Sequence, residues 1–181
     1  TEVYEADPVW APASENTVEE HWAAATPDSY LLLQPLLAEE NNQPIARGVA
    51  ILKRGAVDAD DNPQGYIEFF ECLPDRQDAA SAVLKACEAL LRANGAQSVQ
   101  APKADNQLFG CQISGFDLPH VCLTPHNPPY YQEYFEVAGF RIAQKVLTLF
   151  FKRDNVGGQI EFTLPGFQTR EFDRSRLEDE V

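Results

Sequence analysis

The stretch GYIEFFECLPDRQDAASAVLKACEALLRANG, residues 65–95, decides the architecture. Its first part, 66–73, reads as a strand of aromatic and aliphatic residues. Strict alternation sends Tyr66, Glu68, Phe70 and Cys72 to one face and Ile67, Phe69, Glu71 and Leu73 to the other. Both faces are largely apolar, the pattern of a central strand covered on two sides. The same alternation puts Glu68 and Glu71 on opposite faces. Pro74 ends the strand, and Asp75 is the expected N-cap of a helix. Ala80, Val83, Leu84, Cys87, Leu90 and Leu91 then recur at helical spacing. Arg92 falls in the last turn, and Gly95 supplies the C-terminal cap.

Working outward, 29–37 and 43–52 read as two strands around a Glu40-Asn41-Asn42 turn, and 53–65 as a polar connection rich in turn residues. Beyond the helix, 97–101 is a short strand and 102–108 a loop. Pro125-His-Asn-Pro-Pro129 opens a second helix, with Asn127 as its expected cap and prolines in the first turn. Tyr131, Tyr134, Phe135 and Ala138 form its buried stripe, and Gly139 ends it. A long strand is predicted over 141–152, a strand-like piece over 159–164, and a short helix over 15–22. This order predicts an α/β (α+β) fold: a mixed, mostly antiparallel twisted sheet flanked by helices.

Composition narrows the function classes. The chain has 181 residues, 44% hydrophobic and 23% charged, enough for one real core. Fourteen basic against 28 acidic residues give a formal charge of −14. Such a field repels nucleic-acid backbones and anionic membranes, so neither is an expected partner. No apolar run approaches the roughly 20 residues of a membrane span. The four cysteines, at 72, 87, 111 and 122, read as reduced thiols of a cytoplasmic protein. The chain contains no Met, so either an initiator was removed or the chain is a piece of a longer protein. A domain over 1–155 is expected, with 156–181 as a linker or the start of a further element.

Two segments carry a family resemblance. One is Gly65-Tyr-Ile-Glu-Phe-Phe-Glu-Cys-Leu73 with the helix ending Leu91-Arg-Ala-Asn-Gly95. The other is Gly115-Phe-Asp117, then Pro125-His-Asn-Pro-Pro-Tyr-Tyr131, then Ala138-Gly-Phe140. Together they resemble the GNAT (N-acetyltransferase) superfamily, and more narrowly a bacterial branch with the His-Asn-Pro-Pro-Tyr-Tyr string. The resemblance implies an acyl-CoA N-acyltransferase fold, acetyl-CoA or another acyl-CoA as co-substrate, no metal, and a small amine or amino acid as acceptor. It also implies that 66–73 is the splayed strand whose backbone aligns the pantetheine arm, through Phe70, Glu71, Cys72 and Leu73. The loop that faces the pyrophosphate would be Arg76, Gln77, Asp78, Ala79 and Ala80, where bare N–H groups at a helix start attract anions. Glu68 or Glu71 would be the general base. Asn127 and Tyr131 would line the acyl-transfer side.

The loop departs from the family pattern in two places. Asp75 stands where Gln or Arg is usual, and Asp78 where the first glycine is usual. The usual general-acid tyrosine position, four residues before Gly139, holds Phe135. A second reading follows: a catalytically degenerate GNAT-like domain that binds a ligand or supports a partner, either a covalently linked domain or a second copy in a dimer. Tyr130, fixed by Pro128-Pro129, is a candidate cleft residue. Cys111, His120, Cys122 and His126 have ligand-type side chains, but their spacing matches no compact zinc site. Ser114-Gly115 lacks the Gly-x-Ser-x-Gly elbow of a nucleophilic serine, and Cys122/His126 is a remote candidate dyad.

Overall fold

The computed structural model describes residues 2–4, 30–103, 110–118 and 124–148. The chain divides into two units, Thr1–Ile142 and Ala143–Val181. Of the second, only 143–148 are described; they are exposed and carry no regular element. The strand predicted over 141–152 is therefore not found at 141–148. The helix predicted over 15–22 and the strand over 159–164 lie outside the described residues.

The first unit holds a four-stranded sheet in the order β1 (Tyr30–Glu40), β2 (Gln43–Val57), β3 (Pro63–Cys72), β4 (Ser98–Lys103). The first three strands run antiparallel and β4 runs parallel to β3, so the sheet is mixed and mostly antiparallel. The β1–β2 turn is made by Asn41 and Asn42 at φ 52° and 62°, the left-handed pair that matches the twist of a two-residue hairpin. The β2–β3 connection is shorter than predicted. Asp58 organises it by accepting the backbone N–H groups of Asp60 and Asn62, both at 3.0 Å.

Helix α1 (Gln77–Ala93) crosses from β3 to β4 and packs over β2. Its buried stripe of Ala80, Val83, Leu84, Cys87 and Leu91 meets Ala46, Ala50, Leu52, Ile67, Phe70 and Cys72 of the sheet. Val49, Ile51 and Tyr66 are buried on the opposite face. Asp75 is not the cap of α1. It sits at φ 57° in the connecting turn, and Arg76 occupies the cap position without a side-chain bond to the helix. Helix α2 (Tyr131–Val137) begins after the proline run.

Strict alternation fails in β3. Val49 pairs with Glu68 and Arg47 with Glu71, so two steps along β2 match three along β3. The extra residue is a β-bulge around Phe69, whose φ is 52°. Phe70 and Cys72 consequently join Ile67 in the α1 core, while Tyr66 lies in the other. Glu68 and Glu71, paired with residues two apart on β2, share one face of the sheet rather than opposite faces.

Candidate functional site

The parallel β3–β4 pairing starts at Gln64↔Ser98 and ends at Glu68↔Lys103. Strand β3 continues to Cys72, still paired on its other side with Ala46 of β2. Lys103 is the last residue of β4, so beyond Glu68 the β4-facing edge of β3, the wedge of this site, has no strand partner among the described residues. Residues of β3 whose N–H groups point to β2 and into the wedge alternate. Leu73 N–H goes to the Ile45 carbonyl at 3.0 Å, so Cys72 presents both its N–H and its carbonyl to the wedge.

Three tyrosines at the start of α2 fill this place. Cys72 N–H donates to Tyr131 Oη at 3.1 Å, and Tyr130 Oη donates to the Cys72 carbonyl at 3.0 Å. Tyr134 Oη donates to the Leu73 carbonyl at 3.2 Å and accepts the Arg76 N–H at 3.0 Å. Tyr131 Oη in turn donates to Glu71 Oε2 at 2.6 Å. The second Glu71 oxygen, Oε1, accepts Tyr4 Oη at 3.3 Å. Phe70 packs edge-on to Tyr131 and tilted to Phe135, with centroids 5.1 and 4.9 Å apart. Tyr131, Tyr134 and Phe135 are all buried.

Electrostatics follow from this packing. Burial pushes Glu71 above the usual carboxylate range, against the opposing pull of the Tyr131 hydroxyl, Arg47 and Tyr4. Burial first, then the adjacent Glu71 anion, pushes the Tyr131 hydroxyl far above the usual tyrosine range, so it stays a donor. Tyr4 and Tyr130 are raised too, first by burial. Burial pushes the Cys72 thiol up to about 11, and its Sγ donates to the Arg76 carbonyl at 3.4 Å.

The loop into α1 is rich in carboxylates and its cation is engaged. Arg76 donates through Nε and Nη2 to Asp78 at 3.1 and 3.2 Å. It donates through Nη1 and Nη2 to Glu40 at 3.1 and 3.3 Å. The Arg76 hydrogen bond, then the Ala79 backbone N–H, hold Asp78 below the usual carboxylate range. Gln77 reaches across to Glu133 at 3.1 Å. Ala79 and Ala80 are buried against the sheet.

Of the residues singled out from sequence, Phe70, Glu71, Cys72, Leu73, Arg76 and Tyr131 come together at the wedge. Glu68 is fully buried in β3 where the pairing ends. Asn127 does something other than cap α2: its Oδ1 accepts the Gln112 N–H at 2.7 Å. Its Nδ2 donates to the carbonyls of Gln112 at 3.2 Å and Pro128 at 2.9 Å. It therefore staples the 110–118 segment to the approach of α2. Of the Cys/His set, His120 and Cys122 lie outside the described residues. Among the described residues no three His, Cys, Asp or Glu side chains gather as metal ligands. Nor is any helix among them long and apolar enough to cross a membrane. Sequence reasoning missed Tyr4 and the roles of Tyr130 and Tyr134. The Tyr130-Tyr131-x-x-Tyr134 spacing was the available signal.

No protein-family model matches the chain, and no curated protein matches it. Solved structures do. A putative acetyltransferase from Agrobacterium tumefaciens is 16% identical, over 83% of this chain and 90% of that one, with a TM-score of 0.48. The aminoglycoside 6'-N-acetyltransferase AAC(6')-IG from Acinetobacter haemolyticus gives the same values. The aminoglycoside acetyltransferase AAC(6')-Iy, solved with a CoA-containing bisubstrate analogue, is 12% identical over 79% of this chain and 84% of that one, at a TM-score of 0.48. What this chain does is therefore read from its own wedge and loop.

Proposed function

We propose that this is a GNAT-type acyltransferase domain whose acyl-CoA face is filled by its own tyrosines, and that it serves as a non-catalytic module supporting a partner domain. One observation carries the reading. The Cys72 and Leu73 backbone groups that would align a pantetheine arm, and the Arg76 N–H that would face a pyrophosphate, are bonded to Tyr130, Tyr131 and Tyr134. A ligand must first lift those side chains. Burying a large apolar side chain is worth about 1.5–3 kcal/mol, so lifting three costs about 4.5–9 kcal/mol. A micromolar ligand has about 8 kcal/mol to offer in total. The two nearly cancel. The loop adds repulsion, because the Arg76 charge is already offset by Asp78 and Glu40.

A second reading is favoured by the Glu71–Tyr131 contact at 2.6 Å. A carboxylate raised by burial, hydrogen-bonded to a protonated tyrosine, is the pairing that general base and general acid need in acyl transfer from acyl-CoA to a small amine or amino acid. Calorimetry with acetyl-CoA at about 0.15 M salt, where phosphate repulsion is screened, tests the first reading. The expected result is no binding up to millimolar. A micromolar dissociation constant would overturn the first reading, and amine acylation lost in Glu71→Gln would then support the second, with Glu71 rather than the enclosed Glu68 as its base.

A further inference from the structure

We infer that the N-terminal turn is a clasp on the tyrosine plug: Tyr4, acting through Glu71, holds Tyr131 and with it the start of α2 in the β3–β4 wedge. This inference rests on the plugged-wedge reading above and names what keeps the plug seated.

The geometry is a relay across three distant parts of the chain. Glu71 projects from the end of β3 with one oxygen for each of two tyrosines, Tyr4 at 3.3 Å and Tyr131 at 2.6 Å. Both tyrosine hydroxyls thus meet at one carboxylate. Residues Glu2–Tyr4 form a single 3-10 turn, too short to hold itself in place. Its described anchors are Val3, packed on the core, and the Tyr4 side chain, only 6% exposed and stacked on the His126 ring at a centroid distance of 6.4 Å. His126 lies in the proline run that leads into α2, so Tyr4 touches both the acceptor of the plug and its approach. Helix α2 has only seven residues and cannot be stable by its own hydrogen bonds. Its position depends on side-chain anchors, and Glu71 is the anchor it shares with the N-terminus. Among the described residues the charged and titratable groups acting on Glu71 include Tyr131, Arg47 and Tyr4, with Tyr130 close by.

The chain contains its own control. The amides of Cys72 and Arg76 are held by tyrosine hydroxyls, while that of Leu73, between them, is held by the Ile45 carbonyl of the sheet. Hydrogen exchange of these three amides, followed by NMR in the whole chain, reads the plug separately from the sheet. The Tyr4→Phe variant removes the hydroxyl and keeps the ring on His126. The expected result is about tenfold faster exchange at Cys72 and Arg76, the scale of one lost buried hydrogen bond, with Leu73 unchanged. No change at any of the three overturns the clasp. An equal rise at all three also overturns it, since Tyr4 would then support global stability only. Acetyl-CoA calorimetry on the wild type tests the plug independently. Micromolar binding alongside a selective response in Tyr4→Phe would refute the non-catalytic reading and leave the clasp standing.

Discussion

At the scale of single residues, Glu71 concentrates the tension of this site. Its carboxylate is enclosed, and two tyrosine hydroxyls and Arg47 only partly replace the lost water. The sign of the consequence is fixed by linkage. Because the folded-state pKa is raised above the unfolded value, the fold binds the proton more tightly. The contribution of protonated Glu71 is fully present below the ordinary carboxylate range and is lost as pH rises through the raised value. Asp58 and Asp78 are shifted the other way, so theirs is lost as pH falls. The wild-type profile therefore mixes both signs, and the Glu71→Gln difference isolates one. Urea unfolding from pH 4 to 8 should show Glu71→Gln gaining on the wild type as pH rises through the Glu71 titration and levelling off above it. A difference that is flat across this range would show that Glu71 titrates alike in both states. The raised pKa comes from burial and was not legible in the sequence, which placed Glu71 on a strand but could not show what would enclose it.

At the scale of elements, the strands, their order and α1 follow from residues that could be read directly. Apolar runs bounded by turn residues gave the three antiparallel strands, and the spacing from Ala80 to Leu91 gave α1 with its Gly95 stop. Two features escaped for stated physical reasons. The bulge at Phe69 leaves no mark in composition, because its neighbours are apolar on either assignment, yet it brings Glu71 to the face of Glu68. The cap of α1 moved from Asp75 to Arg76: Asp75 takes a left-handed φ of 57° in the turn, and the Arg76 amide is held by a tyrosine from α2, a tertiary contact no local rule contains. Where α1 returns to β4, the approach is closest at Gly65. A Cβ there would lie 2.9 and 3.1 Å from the two Leu91 methyls and 3.2 Å from Ala96 Cβ. Both neighbours are buried, Leu91 completely, so neither can swing aside. Gly65→Ala should destabilise by about 1–3 kcal/mol, the usual cost of overpacking a filled core. Combining it with Leu91→Ala should cost less than the sum of the two single changes. Additivity in denaturant unfolding would show that the contact is relieved elsewhere.

At the scale of the whole molecule, charge acts on the same wedge as packing. The chain carries −14, and Glu40, Asp75 and Asp78 stand around the loop that a pyrophosphate would approach. Pantetheine offers the amides of CoA without its phosphates, so the two ligands separate backbone recognition from repulsion. Tyr130 is the plug residue to remove, because it is only half-buried and its hydroxyl covers the Cys72 carbonyl. In Tyr130→Ala, pantetheine should bind measurably where the wild type does not, with little dependence on salt. CoA should bind the same variant more weakly than pantetheine at low salt and gain affinity as salt is raised from 0.01 to 0.15 M. Over that range the screening length falls from about 30 to about 8 Å, which removes most of the repulsion between the phosphates and the acidic surface. This is the reverse of the salt dependence of a site with a positive pyrophosphate loop. CoA binding that instead tightens at low salt would mean that Arg76 leaves Asp78 and Glu40 for the ligand, and the loop would then be a working anion site.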